Sequence, residues 1–263
     1  MMNVNLVLQQ NLKRGVFMKV TIIGFWGGYP AAGGATSAYL VEEKDFKLLV
    51  DAGSGSLSKL QSYINISDLD AVIVSHYHQD HVADIGVLQY AKLVGSYVTE
   101  EKDILPIYGH TEDKQGFAAL THHYTKGVAY DPNGTLEIGP LSITFLETDH
   151  PVPCYGMRIT NGENTLVYTA DTTYQEAWID FAKNADVLIT DCNFYADQDG
   201  AQAGHMTSKE GAVIAEKAHV KQLILSHLPQ YGDLNQLVSE AKQYYHGPVQ
   251  LAKEGLVWKN VEK

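Results

Sequence analysis

Short apolar runs alternate along the chain with longer segments that are apolar on one face only. The runs are rich in Val, Ile and Leu, as in 71–74 and 222–225, and their length suits buried strands. The longer segments place apolar residues at helical spacing. The pattern predicts strands near 18–24, 37–42, 46–50, 71–74, 104–108, 135–138, 141–146, 155–160, 165–169, 187–190, 222–225 and 249–252. It predicts helices near 54–63, 82–94, 114–120, 174–182, 207–218 and 233–245.

The last two predicted helices have clear boundary residues. Thr207 and Glu210 have the spacing of a capping box, in which each side chain accepts a hydrogen bond from the backbone of the other residue. Asp233 can cap the final helix, and Gly247 follows its end. Residues 126–134 contain a Pro-Asn-Gly turn and are predicted to form a loop.

Strands and helices alternate, which is typical of an α/β fold. The segment 37–51 reads strand, short charged turn, strand and aspartate, and the segment 154–171 repeats this order. We therefore predict two similar halves, with two sheets packed together, helices outside and a site at the shared edge. Residues 1–17 have no clear period and are expected to form an N-terminal extension outside the fold, with 18–263 as a single domain.

Composition and charge narrow the functional classes. The chain has 263 residues and a formal net charge of −12, which argues against a general nucleic-acid coat protein. No apolar run approaches the roughly 18 residues of a membrane span, so we expect no membrane partner. The two cysteines, Cys154 and Cys192, are too few for a disulfide scaffold and are expected to be buried and inert. We expect no signal peptide and a cytoplasmic location.

Metal-ligand side chains are concentrated directly after the apolar run 71–74. Four of them fall within six residues: His76, His78, Asp80 and His81. Imidazole and carboxylate together suit zinc, manganese and iron, and loops on a rigid sheet often carry catalytic ligands. The alternative is a polar surface turn that is rich in histidine. Further candidates at the ends of apolar strands argue against that alternative: His150, Asp171 and His227.

The run of ligands resembles the signature of the metallo-β-lactamase-fold hydrolases, His-x-His-x-Asp-His, and the resemblance covers about residues 18–257. It implies the αββα four-layer sandwich of that family. It also implies two divalent metal ions, each on its own ligand set. The sets are His76, His78 and His150, and Asp80, His81 and His227, with Asp171 bridging them. Asp51 is implied to orient the ligands from outside these sets.

Within the family the chain looks most like the tRNase Z group, in a short form. Residues 149–156 and 204–208 resemble that group's segment around the third metal histidine and its Gly-His-Ser/Thr-Thr element. The resemblance implies that His205, just before the predicted helix 207–218, serves in proton transfer. The long arm with which those enzymes grip tRNA is missing, because only a hairpin's length separates His150 from Asp171.

Two metals of this kind can hold a bridging water and lower its pKa towards about 7, so that a hydroxide attacks phosphorus or a carbonyl carbon. We predict a dinuclear metal-dependent hydrolase, specifically a phosphodiesterase on a small, nucleotide-like or RNA-derived substrate. Asp80, as a ligand, and His205, as an acid, are the expected catalytic residues. Zn²⁺ is the expected metal, with Mn²⁺ as the alternative.

Several alternatives stay open at the level of sequence. The runner-up function is a tRNA 3′-end processing endoribonuclease, followed by a glyoxalase II-like thioesterase. The non-enzyme alternative is a metal-binding interaction module, and a homodimer is compatible with any of these functions. His110, His122 and His123 could line a pocket or lie in loops. His219 and His246 are expected at exposed helix ends.

Overall fold

Two mixed β-sheets, each of seven strands, form the centre of the molecule. The computed structural model describes residues 18–98 and 103–259, so the expectation for residues 1–17 lies outside the described residues. None of the helices in these two ranges is long and apolar enough to cross a membrane.

The first sheet takes most of its strands from the N-terminal half of the chain. These strands are β1 (Lys19–Gly24), β2 (Ala38–Glu43), β3 (Phe46–Val50), β4 (Ala71–Ile73), β5 (Leu105–Gly109), β6 (Thr125–Ala129) and, from the C-terminal end, β14 (Val257–Lys259). Their order is β14-β1-β2-β3-β4-β5-β6. The pairs from β1 to β3 are antiparallel, and those from β3 to β6 are parallel.

The second sheet repeats this plan with later strands. These are β7 (Leu136–Ile138), β8 (Leu141–Glu147), β9 (Tyr155–Thr160), β10 (Thr165–Tyr168), β11 (Val187–Asp191), β12 (Leu223–Ser226) and β13 (Val249–Leu251). Their order is β13-β12-β11-β10-β9-β8-β7. The pairs from β7 to β10 are antiparallel, and those from β10 to β13 are parallel.

Helices cover the outer face of each sheet. They are α1 (Ser56–Leu60), α2 (Gln79–Val82), α3 (Ile85–Val98), α4 (Lys114–Ala119), α5 (Ala177–Phe181), α6 (Ser208–Lys217) and α7 (Leu234–Ala241), with short 3₁₀ turns at Ile66–Asp68 and Ala201–Ala203. The predicted capping box joins Thr207 to Glu210 at the start of α6, and Asp233 caps α7.

The alternation of side chains along each strand sorts the apolar residues into three cores. In β3, Leu48 and Val50 face the core between the two sheets, whereas Leu49 faces the core under α1 and α3. The outer face of the second sheet packs on α5, α6 and α7 through residues such as Trp178 and Leu237. The predicted αββα sandwich with two similar halves is confirmed.

The structure differs from the predicted elements in three places. Residues 126–134 were predicted to be a loop, but Thr125–Ala129 forms β6, because it pairs with β5 although it has no apolar run of its own. The strand β14 was not predicted; its buried residue Trp258 packs into the core between the sheets. The predicted helix 82–94 corresponds to α3, which begins three residues later, at Ile85. The short helix α2 before it was not predicted, and Asp84, whose N–H donates to the carbonyl of Ala52, lies between the two helices.

The parallel strands bring the candidate residues to one edge of the sandwich. Strands β3 and β4 in the first sheet, and β10, β11 and β12 in the second, end at this edge. The residues that follow them are Asp51, His76, Asp171 and His227, with Asp191 as the last residue of β11. The predicted position of the site at the shared edge therefore agrees with the topology.

Candidate metal centre and active site

All seven residues predicted as metal ligands lie close together at this edge, in two groups that share Asp171. His76 follows β4, His78 precedes α2, and Asp80 and His81 lie in its first turn. The remaining residues come from loops after strands of the second sheet: His150 after β8, Asp171 after β10 and His227 after β12. Each half of the fold therefore supplies part of the site.

The first group contains three imidazoles and one carboxylate oxygen. Nδ1 of His78 lies 3.1 Å from Nε2 of His150. Oδ2 of Asp171 lies 3.6 Å from Nε2 of His76 and 3.9 Å from Nε2 of His150. One potential ligand atom from each of the four residues falls within 4.8 Å of the others, so the four could hold one cation.

The second group uses the other oxygen of the same aspartate. Oδ1 of Asp171 lies 3.2 Å from Nε2 of His81 and 3.4 Å from Nε2 of His227. Oδ2 of Asp80 lies 3.1 Å from Nε2 of His227 and 3.6 Å from Nε2 of His81. Asp171 therefore stands between the groups, with one oxygen directed to each.

The protonation of the first group's histidines and the unpaired atoms of both groups fit bound cations. Burial lowers the pKa of His76, His78 and His150, which favours the neutral imidazole that binds metals. Burial alone would raise the pKa of Asp171, but His227 and His81 hold it well below its usual range. Nε2 of His76, Nε2 of His81 and Oδ1 of Asp171 are buried and have no hydrogen-bond partner among the described residues. Buried polar atoms left in this way are costly unless a metal satisfies them.

Asp51, predicted to orient the ligands, contacts the second group directly and reaches the first group through Ser75. Its Oδ2 accepts hydrogen bonds from Nδ1 of His81 (2.8 Å) and from the hydroxyls of Tyr168 (2.8 Å) and Ser75 (2.9 Å). Because the Ser75 hydroxyl donates to Asp51, it can accept from Nδ1 of His76, 3.0 Å away. In both histidines this network places the proton on Nδ1 and leaves Nε2 free for a cation.

His150 and His227 have outer partners as well. Nδ1 of His150 donates to the carbonyl of Gly204 at 3.1 Å. Nδ1 of His227 lies 3.5 Å from Oδ1 of Asp191. His227 also has a left-handed backbone (φ 52°), as does Asp51 (φ 57°), and each such residue costs about 1–3 kcal/mol. The surrounding contacts hold this strain at the site.

His205 lies beside the second group and is paired with Asp191. Nδ1 of His205 donates to Oδ2 of Asp191 at 2.8 Å, and its ring stacks on that of His227 with centroids 4.9 Å apart. Burial opposes protonation of His205, but the charge of Asp191 outweighs it and raises the pKa of His205 above its ordinary value. Since Nδ1 is used by Asp191, Nε2 is the nitrogen that can serve a ligand in the pocket.

Asp191 was not predicted as a site residue, although the sequence carried an indication. It is the last residue of β11, a fully buried strand that begins with three apolar residues, and its side chain is buried. Its carboxylate also accepts a hydrogen bond from the backbone N–H of Thr172 at 3.1 Å. A buried carboxylate needs several hydrogen-bond donors around it. Two of the groups around the Asp191 carboxylate are site histidines, His205 and His227.

A cavity of about 320 Å³ opens onto the two groups. Besides His78, Asp80, His150, Asp171, His205 and His227, it is lined by residues that the sequence did not indicate: Gly27, Gly28, Tyr29, Pro151, Asn193, Ala203 and Gln230. The backbone N–H of Gly28 donates to Oδ2 of Asp80 at 2.7 Å. A Cβ atom at Gly27 would collide with Asn193 and His227, so the loop after β1 needs glycine to approach the site.

The other histidines lie away from this cavity. His110 is buried against the rings of Tyr77 and Tyr155, and His122 and His123 pack on each other beside α4; none of the three lines the cavity. His219 and His246 are exposed near the ends of α6 and α7, as predicted. Cys154 and Cys192 are free and fully buried, and burial raises the pKa of both thiols, which agrees with inert cysteines.

Comparison with known proteins identifies the family. The family described as "Beta-lactamase superfamily domain" matches residues 47–228. The chain is 55% identical to "Probable metallo-hydrolase YhfI" of Bacillus subtilis, over 92% of this chain and 99% of that protein. The crystal structure of YhfI superposes with a TM-score of 0.92 at 54% identity, covering 93% of this chain and 100% of that one. A ribonuclease Z of Metallosphaera sedula is 26% identical over 93% of this chain and 99% of its own length. The chain therefore belongs to the beta-lactamase superfamily of metallo-hydrolases.

Proposed function

We propose that this chain is a dinuclear metal-dependent phosphodiesterase acting on a nucleotide-like or RNA-derived substrate. The observation that carries the proposal is the pair of ligand groups joined by Asp171, with the His205–Asp191 pair beside them in one cavity. A carboxylate shared by two ligand sets suits two metals, and a separate acid suits cleavage of an ester whose leaving oxygen needs a proton.

The two groups are the proposed binding sites for divalent ions. His76, His78 and His150 would hold one, and Asp80, His81 and His227 the other, with Asp171 common to both. Zn²⁺ is the proposed metal, because imidazole with carboxylate suits it, and Mn²⁺ is the alternative. Divalent ions bound in such sets supply Lewis-acid chemistry, which activates water and takes up negative charge on the substrate.

The protein's own residues then orient the reaction. Asp80 is fixed by the N–H of Gly28, so that its oxygen faces the second group. His205 is held by Asp191 with Nε2 towards the cavity, and the charge of Asp191 raises its pKa, which favours the protonated form relative to an ordinary histidine. We assign His205 as the general acid that gives this proton to the departing oxygen.

The runner-up is a tRNA 3′-end endoribonuclease, which the similarity to a ribonuclease Z supports. Two observations weigh against it. A single short hairpin, β9–β10, fills the interval between His150 and Asp171 and leaves no arm to hold tRNA. No Lys or Arg is among the described residues that line the cavity, although nucleic-acid backbones are usually held by basic side chains. A thioesterase ranks third, because the proposed acid His205 has no evident use with a good thiolate leaving group.

Direct comparison of substrates tests the proposal. Metal-loaded protein should hydrolyse bis-(p-nitrophenyl) phosphate and small nucleotide diesters with a higher kcat/KM than precursor tRNA or a thioester, all at one salt concentration. The chain's net charge of −12 adds to the disadvantage of a polyanionic substrate. A clear preference for precursor tRNA would promote the runner-up. A preference for the thioester, or no turnover of any ester, would overturn the proposal.

A further inference from the structure

The rim of the cavity carries an exposed aromatic ring that the proposed chemistry does not use. Tyr29 lines the cavity, and 64% of its surface is exposed to solvent. It follows Gly27 and Gly28 in the loop after β1. Its hydroxyl has no hydrogen-bond partner among the described residues, so no internal contact accounts for the ring.

The backbone beneath this ring is fixed on both sides. On one side the N–H of Gly28 is bound to Asp80, a proposed metal ligand, at 2.7 Å. On the other, the side-chain amide of Gln230 donates to the carbonyl of Gly27 at 2.6 Å and to the carbonyl of Tyr29. The backbone of Tyr29 is therefore held in place next to the reacting centre. A residue that binds a ligand is usually supported in this way, whereas a loosely exposed residue is not.

Apart from Tyr29 and the proposed site residues, the lining of the cavity is uncharged and includes two amide side chains, Asn193 and Gln230. Asn193 donates its amide N–H to the carbonyl of His227 at 2.9 Å. Its amide oxygen is not used in this bond and can accept a hydrogen bond from a ligand. No Lys or Arg lines the cavity among the residues that the structure describes. Such a lining suits a ligand with two parts: a neutral planar group with N–H donors at the rim, and an anionic group at the metal centre.

We propose that Tyr29 forms a subsite that stacks a nucleobase of the substrate. The inference rests on the proposed function and narrows it, since it selects phosphodiesters that carry a base over those that carry only a sugar or an alkyl group. Stacking of a base on an aromatic side chain tolerates any base and is worth about tenfold or more in affinity. Tyr29 is thus a specificity-determining residue and takes no part in the chemical step.

Calorimetric binding to metal-loaded protein tests this subsite with two phosphate monoesters, adenosine 5′-monophosphate and ribose 5-phosphate. Tyr29→Ala should weaken binding of the adenosine compound about tenfold and leave ribose 5-phosphate unchanged, whereas Tyr29→Phe should behave as the wild type. Tyr90→Ala is the matched control, because Tyr90 is similarly exposed (66%) but lies on α3, away from the cavity. It should alter neither affinity.

Hydrolysis separates the subsite from the proposed function. Wild-type protein should cleave adenosine cyclic phosphates with a higher kcat/KM than their abasic analogues, and Tyr29→Ala should reduce that ratio about tenfold. If the wild type cleaves both kinds but Tyr29→Ala changes neither the ratio nor the adenosine affinity, the subsite is refuted and the phosphodiesterase stands. Equal losses for base-bearing and abasic compounds would also refute it. If the wild type cleaves no phosphodiester, the proposed function fails, and the inference fails with it.

Discussion

Asp171 is the residue on which the two proposed metal positions depend together. Its Oδ1 faces His81 and His227, while its Oδ2 faces His76 and His150. The other proposed ligands each belong to one group only. A substitution at 171 should therefore act differently from a substitution at any other ligand.

Asp171→Ala should remove most metal from both positions and abolish hydrolysis, because each ion loses a charged ligand. His78→Ala should remove chiefly one ion, since His78 belongs to the first group alone. Elemental analysis of protein purified without chelator checks this, with about two equivalents expected for the wild type. Near-normal metal content and activity in Asp171→Ala would contradict the shared role.

For His205, a role in proton transfer and a role in metal binding predict different results, because only the second would change the metal content. His205→Ala should leave metal content unchanged and lower kcat by about 10²–10⁴, the usual worth of a positioned acid. The loss should be small for a p-nitrophenolate leaving group and full for a ribose hydroxyl, because only the latter needs the proton. His219→Ala, at an exposed histidine beyond α6, is the control and should have no effect.

A loss of equal size with both leaving groups would show that His205 binds substrate and does not donate a proton. A fall in metal content would make it a ligand or a support for one.

At the scale of elements, a capping box closes the start of α6, two residues after His205. Thr207 accepts a hydrogen bond from the N–H of Glu210, and the Glu210 carboxylate accepts from the N–H of Thr207 at 2.8 Å. Thr207→Ala should cost about 1 kcal/mol of stability through loss of the cap, and should lower Tm by about 2–4 °C in a chain of this size. Thr207→Ser, which keeps the hydroxyl, should remain close to the wild type. Thermal unfolding of the three proteins checks this, and an unchanged Tm in Thr207→Ala would contradict it.

The elements also show how far the sequence could predict the fold. Strands such as β4 and β12 were recognisable because each is built on a run of three buried apolar residues. The strand β6 was not recognisable, since its residues are half exposed and only its pairing with β5 makes it a strand. The tertiary contact between α2 and α3, from Asp84 to Ala52, is one that no local pattern contains.

At the scale of the whole molecule, two halves of similar plan meet at the edge where the site lies. The His-x-His-x-Asp-His run and the strand-end residues His150, Asp171 and His227 could be predicted, because each combines a ligand side chain with a recognisable strand end. Tyr29 could not, because a tyrosine in a glycine-rich loop gains its role only from neighbours across the fold. For Asp191 the sequence offered only its place at the end of β11, and its role depends on His205 across the fold.

The proposed function requires two metal ions that act together on one chain to hydrolyse a phosphodiester. The most direct test is a titration of chelator-treated protein with Zn²⁺ or Mn²⁺, in which turnover of bis-(p-nitrophenyl) phosphate is followed against metal bound per chain. The expected rate is negligible without metal, rises with added metal and levels off at about two equivalents. Full activity at one equivalent, or turnover that survives complete removal of metal, would contradict the claim.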